Sequence, residues 1–179
     1  MVPTITQQLE AMRHRFAQTI VPALSPAAEF AQEQAKLMLA TFDWLLDTHE
    51  YEYRYVVVEN NEYRRLLSDL AGALGDTGAP QRLRDEVRAC LAEQGPAPQE
   101  AIAPLPQLAE QTRRFKQLAM SVAAALQEGA KANAVRALVA DCARAQGKRE
   151  LAFFRKTGFP RDAQDLRSEL RPVEPTPKA

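Results

Sequence analysis

From Ser25-Pro26 to Leu74 the sequence sustains a helical signal over roughly fifty residues, too long for one rod in a compact chain of this size. At ~1.5 Å per residue such a rod would reach ~75 Å. A compact chain of 179 residues has a radius of gyration near ~16 Å, hence a diameter of about 40 Å. Either the run breaks or the molecule is elongated. The expected breaks are Thr48–Tyr51 and Asn60-Asn61, because asparagine tolerates left-handed backbone and competes for local hydrogen bonds.

The rest of the chain is read by the same periodicity. A first helix is expected from Thr4 to Val21, since Ile5, Leu9, Met12, Phe16 and Ile20 recur at steps of three and four. Pro22 should stop or kink it, and His14 lies off the apolar stripe. Ser25-Pro26 reads as a capped start. A further helix is expected over Pro80 to Gln94, with Leu83, Val87, Cys90 and Leu91 inward, after Gly72, Gly75 and Gly78.

Gly95-Pro96-Ala97-Pro98, followed by Pro104 and Pro106, is the clearest linker. Beyond it Leu108, Phe115, Leu118, Val122 and Leu126 form one stripe, Gly129 marks a turn, and Val135, Leu138, Val139 and Cys142 begin the last major helix. After Gly147 the phase shifts to Leu151 and Phe154, and Thr157-Gly158-Phe159-Pro160 reads as a stop. The fold expected is all-α: a bundle of five or six helices, because each stripe needs another to bury against. Its single domain, residues 1–160, would consist of halves 4–94 and 105–158 joined by the Pro-rich linker. Residues 161–179 would form an extended or disordered tail, with room for a short turn near Asp165–Leu170.

One segment departs from this Ala/Leu/Arg-rich background. Tyr51, Tyr53, Tyr55 and Tyr63 are all the tyrosines of the chain, and His49 and Arg54 sit among them. Residues 49–58 alternate as a strand would, and a strand could pair with its copy across a dimer axis. Helical neighbours on both sides favour helix, or helix plus turn, with Glu50 and Arg54 as an i,i+4 pair. Tyr and Arg combine contact area with hydrogen bonding, so Trp44, His49, Tyr51, Tyr53, Arg54 and Tyr55 are the candidate binding residues. The plainer account is that these rings fill the bundle edge with their hydroxyls at the rim.

Reaction chemistry is not legible. Neither histidine has glutamate three residues before it, as a di-iron bundle would require; the reversed pair His49/Glu52 occurs once. Gly-x-Ser-x-Gly, Gly-x-x-x-x-Gly-Lys and Gly-x-Gly-x-x-Gly are all missing. Cys90 and Cys142 fall on apolar stripes, where inert buried thiols are expected. Asp43 and Asp47 share a helix face and read as solvated carboxylates. No catalytic residue, metal ligand or cofactor is assigned.

Basic residues partly align at Arg144, Lys148, Arg149, Arg155 and Lys156, and again at Arg113, Arg114 and Lys116. A formal net charge of zero gives no global field toward nucleic acid or an anionic membrane. The N-terminus lacks a signal-peptide pattern, and no apolar run reaches spanning length, so a cytoplasmic protein is expected. The function expected is non-enzymatic, through protein contacts: self-association or an accessory subunit. The alternative is a small-ligand binder, or an enzyme of unrecognised type, with a pocket near the Tyr-rich segment.

Overall fold

The structure, a computed structural model, describes residues 2–74, 80–93, 103–126, 131–157 and 162–170. Among these residues the fold is all-α, without strands, and consistent with a helical bundle. Chain contacts gather into two compact units: Met1–Glu52 with Lys148–Ala179, and Tyr53–Gly147. Each unit therefore draws on sequence from both sides of Gly95-Pro96-Ala97-Pro98, a stretch that itself lies outside the described residues.

The first unit opens with α1, Ile5–Arg15. Thr4 and Gln7 form a reciprocal capping box: the Gln7 amide donates to Thr4 Oγ1 at 3.2 Å, and the Thr4 amide to Gln7 Oε1 at 3.0 Å. Pro22 does not simply stop this helix. The turn before it, Phe16–Ile20, widens to a π-helix in which the Val21 amide reaches the Phe16 carbonyl, and α2 (Val21–Ala23) closes the run. Proline cannot donate an amide to the preceding turn, and one wide turn absorbs the mismatch. Ser25-Pro26 shapes a turn, with the Ala28 amide on the Ser25 carbonyl at 3.0 Å, so α3 (Glu29–Thr48) starts later than the capping signal predicts.

α3 runs back along α1. Arg13 donates twice to Asp43, at 2.6 and 3.2 Å, and Phe16 meets Phe42 at 6.1 Å between centroids. Asp43 is thus a paired carboxylate, which corrects its reading as simply solvated. The same holds for Asp47, which receives two bonds from Arg155 at 2.8 and 2.6 Å. Sequence spacing cannot reveal partners thirty or a hundred positions away.

The expected break at Thr48–Tyr51 is present. Thr48 Oγ1 donates to the Trp44 carbonyl at 2.9 Å, His49 Nδ1 lies 2.8 Å from the Leu45 carbonyl, and the Tyr51 amide turns back to Thr48 at 2.9 Å. Side chains that take up last-turn carbonyls favour an end over continuation. The expected break at Asn60-Asn61 is absent: α4 runs unbroken over Glu52–Leu74. Asn60 is fully buried and spends its side-chain amide on Gln111 and Thr112, so it has no local backbone role.

The second unit holds the main apolar core. Leu66, Leu67, Leu70 and Leu74 of α4 meet Val87 and Cys90 of α5 (Gln81–Ala92), Phe115, Ala119 and Val122 of α6 (Leu105–Ala125), and Val135 of α7 (Ala132–Phe153). These include the stripe residues Val87, Cys90, Phe115 and Val122 that periodicity assigns inward. Pro106 falls in the first turn of α6, where its missing amide costs nothing. Gly129 lies outside the described residues. α7 continues through Gly147 without interruption, and its end belongs to the first unit. There Ala152 is sealed, whereas Leu151 and Phe154, the residues expected inward, are half-exposed.

A short 3-10 turn, Arg155–Thr157, follows α7. The stop expected at Gly158–Pro160 lies outside the described residues. Asp165 caps α8 (Leu166–Glu169) through the Arg167 amide at 3.2 Å, and Leu166 and Leu170 are buried at 0 and 1% exposure. The short turn allowed near Asp165–Leu170 is thus an anchored helical turn, held by two leucines one turn apart.

Candidate functional site

The segment singled out by its tyrosines is a turn followed by helix, which removes the strand reading. Its candidate residues divide between the units. In the first, Trp44 donates Nε1–H to the Phe153 carbonyl at 2.9 Å. The indole meets Phe153 edge-on at 5.8 Å and stacks on Phe154 at 6.0 Å. His49 uses both ring nitrogens: Nδ1 on the Leu45 carbonyl, Nε2 3.0 Å from Thr6 Oγ1. Thr6 Oγ1 also lies 3.1 Å from Glu50 Oε1. The Leu45 carbonyl holds Nδ1 as a donor and leaves Nε2 facing Thr6 Oγ1, so the ring is engaged within the first unit. Among the described residues no cluster of three His, Cys, Asp or Glu side chains forms. Glu50 lies in the turn ahead of α4, outside the helix that carries Arg54.

In the second unit the phenols are half-buried and tied down. Tyr53 donates to the Ala103 carbonyl at 3.3 Å, and Tyr55 accepts from Gln146 Nε2 at 3.3 Å. Gln146 also donates to Glu59 at 2.7 Å, and Lys116 reaches the same carboxylate oxygen at 2.7 Å while lying 4.8 Å above the Tyr63 ring. Glu59 and Gln146 were not among the residues singled out by sequence. Their role rests on long-range partners that periodicity does not encode. Arg54 is exposed.

Beside this cluster Arg64 donates to the Leu91 carbonyl at 2.9 Å, also reaches the Glu93 carbonyl, and lies 5.1 Å above Phe115. Glu93 receives two 2.6 Å bonds from Arg114, which hold its carboxyl below the ordinary range against an opposing effect of burial. The same bonds push Arg114 further up. Most of the basic alignment is therefore spoken for. Arg113 pairs with Glu110, Arg114 with Glu93, Lys116 with Glu59, Arg144 with Asp141 and Arg155 with Asp47. Arg149 is buried at 3% exposure, which corrects its placement on a solvated basic face.

Three clefts stand out among the described residues. One of about 460 Å³ lies against α5 and α6, with Cys90, Glu93 and Arg114 in its lining. One of about 250 Å³ is bordered by Tyr63, Lys116, Met120 and Cys142. The third, about 420 Å³, lies over Asp43, Leu46, Asp47 and Lys156. Trp44, His49, Tyr51, Tyr53, Arg54 and Tyr55 line none of these three. Burial pushes the Cys90 thiol upward, so it is held as the unreactive thiol.

The most conspicuous uncovered surface lies in the first unit. Phe30 and Leu37 on α3 are 75 and 56% exposed, and Met38 beside them is 48% exposed. Phe30, Leu37 and Trp44 recur every seven residues, so one line of α3 carries all three. At its far end that line is clasped by the Phe153/Phe154 pair; over its first half no described side chain covers it. Ile5 and Met12 on α1, and Ile20 in the π-helical turn that follows it, are likewise about half-exposed or more. Periodicity identifies these stripes as apolar and leaves open what lies on them. No described helix is long and apolar enough to cross a membrane. Comparison with protein-family models, curated proteins and solved structures finds no match to this chain.

Proposed function

We propose that this is a non-enzymatic, cytoplasmic helical protein that acts through protein–protein contact, and that the contact is made by the outward line of α3. The observation that carries the reading is the pairing of strong exposure with regular spacing: Phe30 at 75% and Leu37 at 56%, in register with Trp44. Isolated exposed apolar residues are ordinary. An amphipathic helix with its apolar seam uncovered is a recognised mode of partner engagement. The Tyr-rich segment serves a different purpose in this reading. Its rings are anchored to Ala103, Gln146 and Lys116 and support the fold from which α3 is presented.

The test is a photo-crosslinking side chain at position 37, introduced in the cell of origin, with exposed Arg65 as the control position. Position 37 should give a discrete protein adduct and position 65 should not. Equal labelling at both positions, or none at 37, would contradict the reading.

A further inference from the structure

We infer that the occupant of the α3 line is a second copy of this chain, packed antiparallel with Leu37 on the two-fold axis; this rests on the contact reading above. Spacing makes the line self-complementary. Seven residues before Leu37 stands Phe30, and seven after it stands Trp44. An antiparallel copy centred on Leu37 places Phe30 of each copy against the Trp44 and Phe154 end of the other, where Phe154 is 47% exposed. Aromatic side chains meeting in this way gain more than area alone.

Shape selects this direction. The Trp44 end is already thickened by Phe153 and Phe154, packed 5.8 and 6.0 Å from the indole. A parallel pairing would press two thickened ends together and leave the two Phe30 ends apart. The antiparallel pairing sets a thick end against a thin one, and opposed helix dipoles favour it as well.

Area and charge agree. Phe30, Leu37, Met38 and Phe154 leave on the order of 400 Å² of apolar surface uncovered. A standard interface hides ~800 Å² per partner, a little over half of it non-polar. The line therefore supplies the apolar share of one such interface. The flank of α3 carries both signs, Glu29 and Glu33 with Lys36, and the chain has a formal net charge of zero, so two copies do not repel.

The experiment uses the full chain with Cys142→Ser, which leaves only the buried Cys90 as a native thiol. Leu37→Cys and Phe30→Cys are each oxidised mildly and run without reductant. Native mass spectrometry of the unaltered chain is run alongside. The expected result is a disulfide-linked dimer from Leu37→Cys in several-fold excess over Phe30→Cys, and a native mass twice the 19.9 kDa of the chain. Equal linking at both positions would replace the antiparallel arrangement with a parallel one and overturn the inference. A monomeric native mass with no linking would also overturn it; a crosslink from position 37 to a different protein would then leave the contact reading standing.

Discussion

Asn60 donates its side-chain amide to Oε1 of Gln111 at 3.0 Å, across 51 residues of sequence and inside a site where Asn60 is wholly buried. The same nitrogen reaches Thr112 Oγ1 at 3.0 Å, and the Thr112 hydroxyl donates in turn to the Leu108 carbonyl at 2.9 Å. Asn60 Oδ1 has no partner among the described residues. Two helices are thereby held in one register by a polar node within an otherwise leucine-rich packing. Asn60→Ala should lower stability by about 1–3 kcal/mol, because Gln111 and Thr112 lose their donor in a buried site. Asn60→Asp should cost more, since it buries a charge where donors stood. Urea unfolding followed by circular dichroism ranks the two variants; an aspartate variant as stable as wild type would remove the node from the account.

The first unit depends on a different joint. Leu166 and Leu170 are sealed although they belong to the polar, proline-rich end of the sequence. Leu166→Ala should destabilise by about 2–5 kcal/mol, the usual range for a buried leucine truncated to a cavity. The single tryptophan, Trp44, lies in this unit and gives a fluorescence readout for its unfolding. A Leu166→Ala midpoint equal to wild type would mean that the α8 turn is not anchored.

Asp47 and Arg155 join α3 to the 3-10 turn by two bonds, with the side chains only 13 and 26% exposed. Hydrogen bonds to charged groups in partly buried positions contribute about 1.5–3 kcal/mol. Asp47→Asn should lose a measurable part of that. Asp43→Asn should lose less, because Arg13 and Asp43 are 40 and 43% exposed and more strongly screened. Thermal unfolding of both variants decides the order, and a larger loss at Asp43 would contradict it.

Glu93 provides the pH dependence. Its folded carboxyl titrates below the ordinary value, chiefly because Arg114 donates to it, with Gln111 adding a second, weaker bond. A depressed folded value means that the stabilisation is fully present above the ordinary carboxylate range and is lost as pH falls through the folded value. The stability gap between wild type and Glu93→Gln should therefore be widest near neutral pH and close on acidification. Added salt should narrow it, since the pair is partly exposed. A gap that widened in acid would reverse the sign and refute the assignment.

How much of this was readable in the sequence follows from the range of each interaction. The helices, the break at Thr48–Tyr51 and the inward faces of α5 and α6 come from periodicity and caps, which are local properties of the chain. Asn60 misled because its local tendency to end helices is overridden by partners on α6. Asp43 and Asp47 looked solvated because Arg13 and Arg155 are distant in sequence. The Phe30–Leu37 stripe is the instructive case: spacing shows that a face is apolar, and only coordinates show that it is left uncovered. For the α8 turn a signal was present, two leucines at i,i+4 behind an aspartate cap, and the surrounding prolines obscured it.

The most direct measurement of the central claim is sedimentation velocity over a range of concentrations, comparing the wild-type chain with Phe30→Ser/Leu37→Ser. Both substituted side chains are exposed, so circular dichroism should show the helical fold unchanged. The account predicts a concentration-dependent dimer for the wild-type chain and a monomer for the double variant. A wild-type chain that stays monomeric throughout, or a double variant that dimerises as strongly as wild type, would contradict it.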